Sequence, residues 1–273
     1  MAETRDTVRQ AVVLVSAIIA VVGAFIGSGA AGGIPIQDAA GGALAADATP
    51  IAPGGPAFAI WTPIYAGLLG YAVWQSAPKQ RADDRQRRLG YPIAVSLILN
   101  AAWILSIQFG FLIASVPIIA ALLVVLVWAF SITLASRPKN LVETIIADGT
   151  VGLYLGWVCV ATAANITALL VASGFRGFGL GMDAWAVVVV AVAGFVGVIL
   201  AVRGKGRLAP AVSLSWGLAW LAVARLTGDL LSMPAAITAI IAVVVVIAVT
   251  VVLRIRSTRP RAASGRSPKV VAA

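Results

Sequence analysis

Aromatic rings, amides and hydroxyls recur at helical spacing inside four strongly apolar stretches. Near the start of residues 57–76, Phe58, Trp61, Thr62 and Tyr65 stand at offsets 0, 3, 4 and 7, which is one face of a helix. Asn100 and Trp103 are three apart, with Gln108 at offset 8 on broadly the same side. Trp128 stands in a fourth run, and GLYLGWVCVATAANITALL (152–170) sets Tyr154, Trp157, Ala161, Thr162 and Asn165 at offsets 0, 3, 7, 8 and 11. Indoles and amides converging from four helices could line a pocket for a large, flat, mostly apolar ligand, stacking on its faces and orienting it with a few hydrogen bonds. The competing reading is packing, with Trp and Tyr in interfacial belts and amides as interhelical glue worth about 1 kcal/mol each. Belt duty suits Trp74 and Trp185, at the ends of apolar runs, better than Trp61, Trp103, Trp128 and Trp157, which lie within them.

Covalent and metal chemistry find little to work with. Histidine is absent and Cys159 is the only cysteine, so neither an intrachain disulfide nor a His/Cys metal cluster can form. Cys159 reads as a small buried apolar residue. Asp148 has no second acid at comparable depth in its segment, so a two-carboxylate catalytic site has no support. It is expected to face the bundle or a watery cleft, hydrogen-bonded near the cytoplasmic interface. No lysine lies inside an apolar run to form a retinal Schiff base. The expectation is a protein without catalytic residues, metal or a required cofactor. Arg225 and Asp229, four apart, have the spacing of a helical ion pair near the outer surface.

The elements that must hold these residues are membrane helices. Of 273 residues, 61% are hydrophobic and 11% charged, with a mean hydropathy of +1.01, so no soluble fold could cover the apolar surface. Apolar runs occur at 10–28, 57–76, 91–109, 114–136, 145–171, 184–202, 208–226 and 234–253. Each approaches the roughly 20 residues a spanning helix needs, and none alternates with period two. The formal charge of +10 points to no nucleic acid, because the charges fall in short gaps between runs. With eight spans, 18 of the 20 basic residues lie on one side and only Arg176 and Arg225 on or near the other. Both termini are therefore expected in the cytoplasm, with a bacterial inner membrane as the setting.

Residues 1–28 also resemble a secretory signal, but cleavage would leave an odd number of spans. Ser16, Ala20, Ala24 and Ser28, with Gly23 and Gly27 beside them, suit a close helix-packing face instead. The Gly-, Ala- and Pro-rich connection 29–56 could act as a flexible lid over the outer mouth. Residues 257–273 read as a disordered basic tail, attracted to anionic headgroups.

Three of these segments resemble one family. FAIWTPIY (58–65) is similar to the second helix of the tryptophan-rich sensory protein or translocator protein (TspO/MBR) family, and LNAAW (99–103) to its Asn-x-x-Trp in helix three. YLGWVCVATAAN (154–165) resembles its helix-five pattern Tyr-x-x-Trp-x-x-x-Ala-Thr-x-x-Asn without a gap. The resemblance covers residues 10–172 and implies a five-helix bundle whose central pocket binds tetrapyrroles such as protoporphyrin or haem. It implies a site lined by Trp61, Tyr65, Asn100, Trp103, Trp128, Tyr154, Trp157, Ala161, Thr162 and Asn165. The fold class expected is an all-α integral membrane protein: a TspO-like five-helix bundle over 1–172, three further transmembrane helices over 173–256, and the tail.

The departures narrow the function. Residues 29–56 lack the tryptophans that the family associates with porphyrin breakdown, so a porphyrin-modifying enzyme ranks below binding and transport as an expectation. Leu153 replaces the family's proline before the tyrosine, and LLVASGFR (169–176) offers Phe175 where a cholesterol motif needs tyrosine. The glycine-rich connection 173–183 suits a boundary between two packed units. A membrane-embedded binder, sensor or carrier of a hydrophobic small molecule is the leading expectation, with a secondary transporter as the alternative. The bilayer is the other partner, and homodimerisation stays open.

Overall fold

The computed structural model describes residues 2–36 and 38–258. Among them are eight helices long and apolar enough to cross a membrane. These are α1 (Ala2–Gly27), α2 (Trp61–Gln75, entered through a 3-10 turn over Gly55–Ile60), α3 (Asp84–Gln108), α4 (Leu112–Ala135), α5 (Leu141–Ala172), α6 (Met182–Arg203), α7 (Leu208–Thr227) and α8 (Met233–Thr258). The described chain is an all-α integral membrane protein, as its hydropathy requires. Of the expected basic tail, residues 259–273 lie outside the described residues.

Local chemistry fixes several boundaries. Asp83 caps α3 by accepting from the backbone N–H of Arg85 at 2.8 Å and of Gln86 at 3.0 Å. At the start of α5, Asn140 Oδ1 accepts from Glu143 N at 2.9 Å, and Glu143 Oε2 accepts from Lys139 N at 2.7 Å, so two orphan donors are satisfied reciprocally. Pro56 falls at the start of the 3-10 entry, where a missing N–H costs nothing, and Pro63 stands just past the point where that turn passes into α-helix. Within α5, residues Thr144–Gly149 widen into a π-turn, a departure often found at functional positions.

α1 packs along α3, α3 along α4, and α4 along α5, while α2 crosses α1 and α5. The α1 face predicted from its small residues is used in large part: Ser16, Ala20, Gly23 and Gly27 are buried, whereas Ser28 is exposed. α6 and α8 pair and pack on α7, which lies against α5. That last contact is close because α5 presents glycine. A Cβ at Gly156 would meet the Pro210 carbonyl oxygen at 2.2 Å, and one at Gly152 would meet Ala209 Cβ at 2.8 Å. α5 and α6 touch little along their length. The glycine-rich connection runs from α5 to α6, and α7 closes tightly on α5.

The first connection is held down on α7. Gly54 N donates to Trp220 O at 3.2 Å, and Trp216 Nε1 donates to Ala57 O at 2.9 Å. Arg225, 2% exposed, donates to the carbonyls of Thr49 (3.0 Å) and Ala46. This corrects the expected Arg225–Asp229 ion pair: Arg225 turns under the connection, and Asp229 stays exposed and makes no ion pair among the described residues. Backbone carbonyls of an irregular segment need donors at the membrane edge, and the guanidinium supplies two.

Candidate functional site

α2, α3 and α5 bring their stripes together. Trp61 is the hub, with ring centroids 5.7 Å from Tyr65, 6.4 Å from Trp103, 5.7 Å from Tyr154 and 6.2 Å from Trp157. Phe58 meets Trp157 edge-on at 5.9 Å. Hydrogen bonds knit the rings to the amides. Asn100 Nδ2 donates to Tyr65 Oη at 2.6 Å, and Trp103 Nε1 to Asn165 Oδ1 at 2.9 Å. Asn165 Nδ2 donates in turn to Ser115 Oγ of α4 at 2.8 Å. Asn100, Trp103, Tyr154, Trp157 and Asn165 are all buried.

Two residues expected at this site lie elsewhere. Trp128 is 54% exposed on the outer face of α4, whose inward face is formed by Leu122, Leu126 and Ala129. Thr162 is buried, yet it lines a separate cavity on the far side of α5 together with Cys159. Ala161 stays with the aromatic cluster. Gln108, half-buried, lies against Gly33 in the first connection and not against the rings. The residue the sequence did not single out is Ser115, one serine at the start of a featureless apolar helix.

Above the cluster is a cavity of about 30 Å³. It is walled by Phe58, Trp103, Trp157 and Ala161 and closed by Leu44, Thr49 and Pro53 of the first connection. Its volume is that of roughly one water, far below the roughly 300–1,000 Å³ of ordinary ligand pockets. The rings themselves occupy the space between the helices. Two buried polar atoms of the cluster remain without a partner, Trp157 Nε1 and Asn100 Oδ1, and so does Thr49 Oγ1 in the connection.

A second polar constellation sits toward the N-terminal side of the membrane. Arg85 donates to Glu143 Oε1 at 2.8 Å and to Asp148 Oδ1, while Arg207 Nη1 reaches Asp148 Oδ2 at 3.1 Å. Arg207 Nη2 also donates to Thr133 O at 2.7 Å, and Gln86 Nε2 to Glu143 Oε1 at 2.8 Å. The π-turn of α5 carries Asp148 into this network. A second acid, Glu143, is thus near Asp148 after all, through a shared arginine, but both carboxylates are neutralised. Outside the spans, burial opposes ionisation of Asp83, yet the Lys139 ammonium and the N–H groups of Gln86 and Arg85 hold its carboxyl below the usual range. The same contact with Asp83 raises the Lys139 ammonium. Burial lowers the Arg207 guanidinium.

A family model described as TSPO-like protein matches residues 13–253. The chain belongs to the TSPO-like protein family. The match takes in all eight helices, so α6–α8 lie within the family's region along with the first five. No curated protein and no solved structure matches the chain significantly. For this TSPO-like protein, the aromatic cluster under the first connection is therefore the candidate binding site. Among the described residues no group of His, Cys, Asp or Glu is arranged to hold a metal ion.

Proposed function

We propose that this TSPO-like protein binds a hydrophobic, tetrapyrrole-like ligand among Trp61, Tyr65, Asn100, Trp103, Tyr154 and Trp157, as a sensor or carrier and not as an enzyme. The observation that carries the reading is the pair of buried, unpartnered polar atoms, Trp157 Nε1 and Asn100 Oδ1, inside a continuous set of aromatic rings. Each such atom costs about 1–3 kcal/mol, which a ligand with a matching polar edge would recover. With about 30 Å³ free, binding requires the rings to part and the first connection to lift.

The test is titration of the purified protein with protoporphyrin IX, read by quenching of tryptophan fluorescence. Saturable quenching is expected. Trp157→Ala and Asn100→Ala should each weaken binding about tenfold or more, as the loss of stacking or of one oriented hydrogen bond implies. Trp128→Ala should leave it unchanged. Equal losses in all three variants would sink the reading in favour of general destabilisation.

A transporter is the second reading, favoured by the buried ionic network joining α3, α5 and α7. Accumulation of substrate in vesicles with a counter-ion requirement would support it. In either case we propose a bacterial inner-membrane setting with both termini cytoplasmic. Reporter fusions at residues 80–88, 137–140 and 203–207 should be active on the cytoplasmic side.

A further inference from the structure

A cavity much larger than the one at the aromatic cluster lies elsewhere among the described residues. It is a groove of about 780 Å³ where α5 and α6 part, backed by Leu123 of α4 and by Pro50 and Ile51 of the first connection. Its walls are Cys159, Ile166 and Leu170 of α5 and Val189, Val192 and Val196 of α6, almost wholly apolar. The volume lies inside the roughly 300–1,000 Å³ typical of ligand sites.

Two polar groups mark its ends. Toward the side opposite the N-terminus, Arg176 lines the rim beside the edge-on pair Phe175–Trp185, whose centroids are 5.8 Å apart. Arg176 makes no ion pair among the described residues. At mid-depth, Thr162 is 8% exposed and its hydroxyl has no partner. Threonine in a helix commonly satisfies its hydroxyl on a carbonyl of the preceding turn and has two χ1 wells available. Ten helical residues separate Thr162 from Ala172, a rise of about 15 Å.

We propose that this groove binds a single-chain anionic amphiphile, with its acid on Arg176, its hydrocarbon body between α5 and α6, and a hydrogen-bonding oxygen at its far end on Thr162. The charge rests on the unpaired guanidinium at the rim. The apolar body rests on the lining, and the far oxygen on the unmet hydroxyl. The site is separate from the aromatic cluster, since α5 turns Trp157 and Ala161 to one cavity and Cys159 and Thr162 to the other.

The probes are 16-hydroxyhexadecanoate, hexadecanoate and hexadecanol, titrated against the full chain in detergent and read by native mass spectrometry. One 16-hydroxyhexadecanoate per chain is expected, bound several-fold tighter than hexadecanoate. Val189→Trp, filling the groove, should cut binding at least tenfold while leaving protoporphyrin affinity unchanged. Val192→Trp, at the 56% exposed lip, gives the same readout if the first variant does not fold. Arg176→Gln should weaken both acids to the level of hexadecanol, and Thr162→Val should remove the advantage of the hydroxylated acid. Wild-type affinity in either tryptophan variant, acid binding indifferent to Arg176→Gln, or a retained phospholipid that the probe cannot displace would overturn the proposal.

Discussion

At the scale of single residues, hydrogen bonding separates structural ties from the groups proposed to face a ligand. Asn165 spends both ends of its amide inside the protein, on Trp103 and on Ser115. It is a tie between α3, α4 and α5. Asn165→Ala would strand the Trp103 indole N–H in a buried setting, while the Ser115 hydroxyl keeps its bond to the Leu112 carbonyl, and should lower stability in mixed-micelle unfolding by about 1–3 kcal/mol. Asn100, by contrast, keeps one oxygen free. The sequence could place Tyr154, Trp157 and Asn165 together because 3.6-residue periodicity assigns a face once a stripe has several members. It misassigned Trp128 because a lone indole in a uniformly apolar helix carries no phase. Thr162, next to Ala161 in the stripe, fell just past the edge of the inward face.

At the scale of elements, the eight spans were legible because hydrophobic length and basic gaps report them directly. The joints between them were not. Nothing in Gly152 or Gly156 announces which helix comes close, yet these positions set the α5–α7 contact. Gly156→Leu should wedge the two apart and lower the midpoint of thermal unfolding by about 2–12 °C, as overpacking by about 1–3 kcal/mol implies. The α3 cap offers a pH test. Because the folded Asp83 carboxyl lies below its ordinary value, its stabilising share is complete above the unfolded value of roughly 3.9 and fades as pH falls through the folded one. Asp83→Asn should thus be less stable than wild type at neutral pH, with the gap closing in acid.

At the scale of the whole molecule, the lid expected from composition proves to be anchored by a helix outside the recognised five-helix motifs. Arg225, Trp216 and the Trp220 carbonyl hold it, and none of the three could be matched to a loop more than 150 residues earlier by spacing alone. Arg225→Gln should speed amide hydrogen exchange across residues 43–53 about tenfold or more, the effect of losing roughly 1.4 kcal/mol of local restraint. Truncation after Arg176 removes all three anchors and should produce at least as large a change in the same segment.

The glycine-mediated seam between α5 and α7 also bears on how the molecule responds to dilution. Two separate polypeptides joined by such a seam would part as their concentration in the bilayer fell, in the manner of any mass-action equilibrium. Here the connection 173–183 and α6 tether α7 to α5, so the partner is always present at an effective concentration set by the tether and not by the number of copies. A contact too weak to hold two chains together can therefore hold one chain closed. The lid that hangs from α7 then keeps the same strength whether the membrane contains many copies of the protein or a single one.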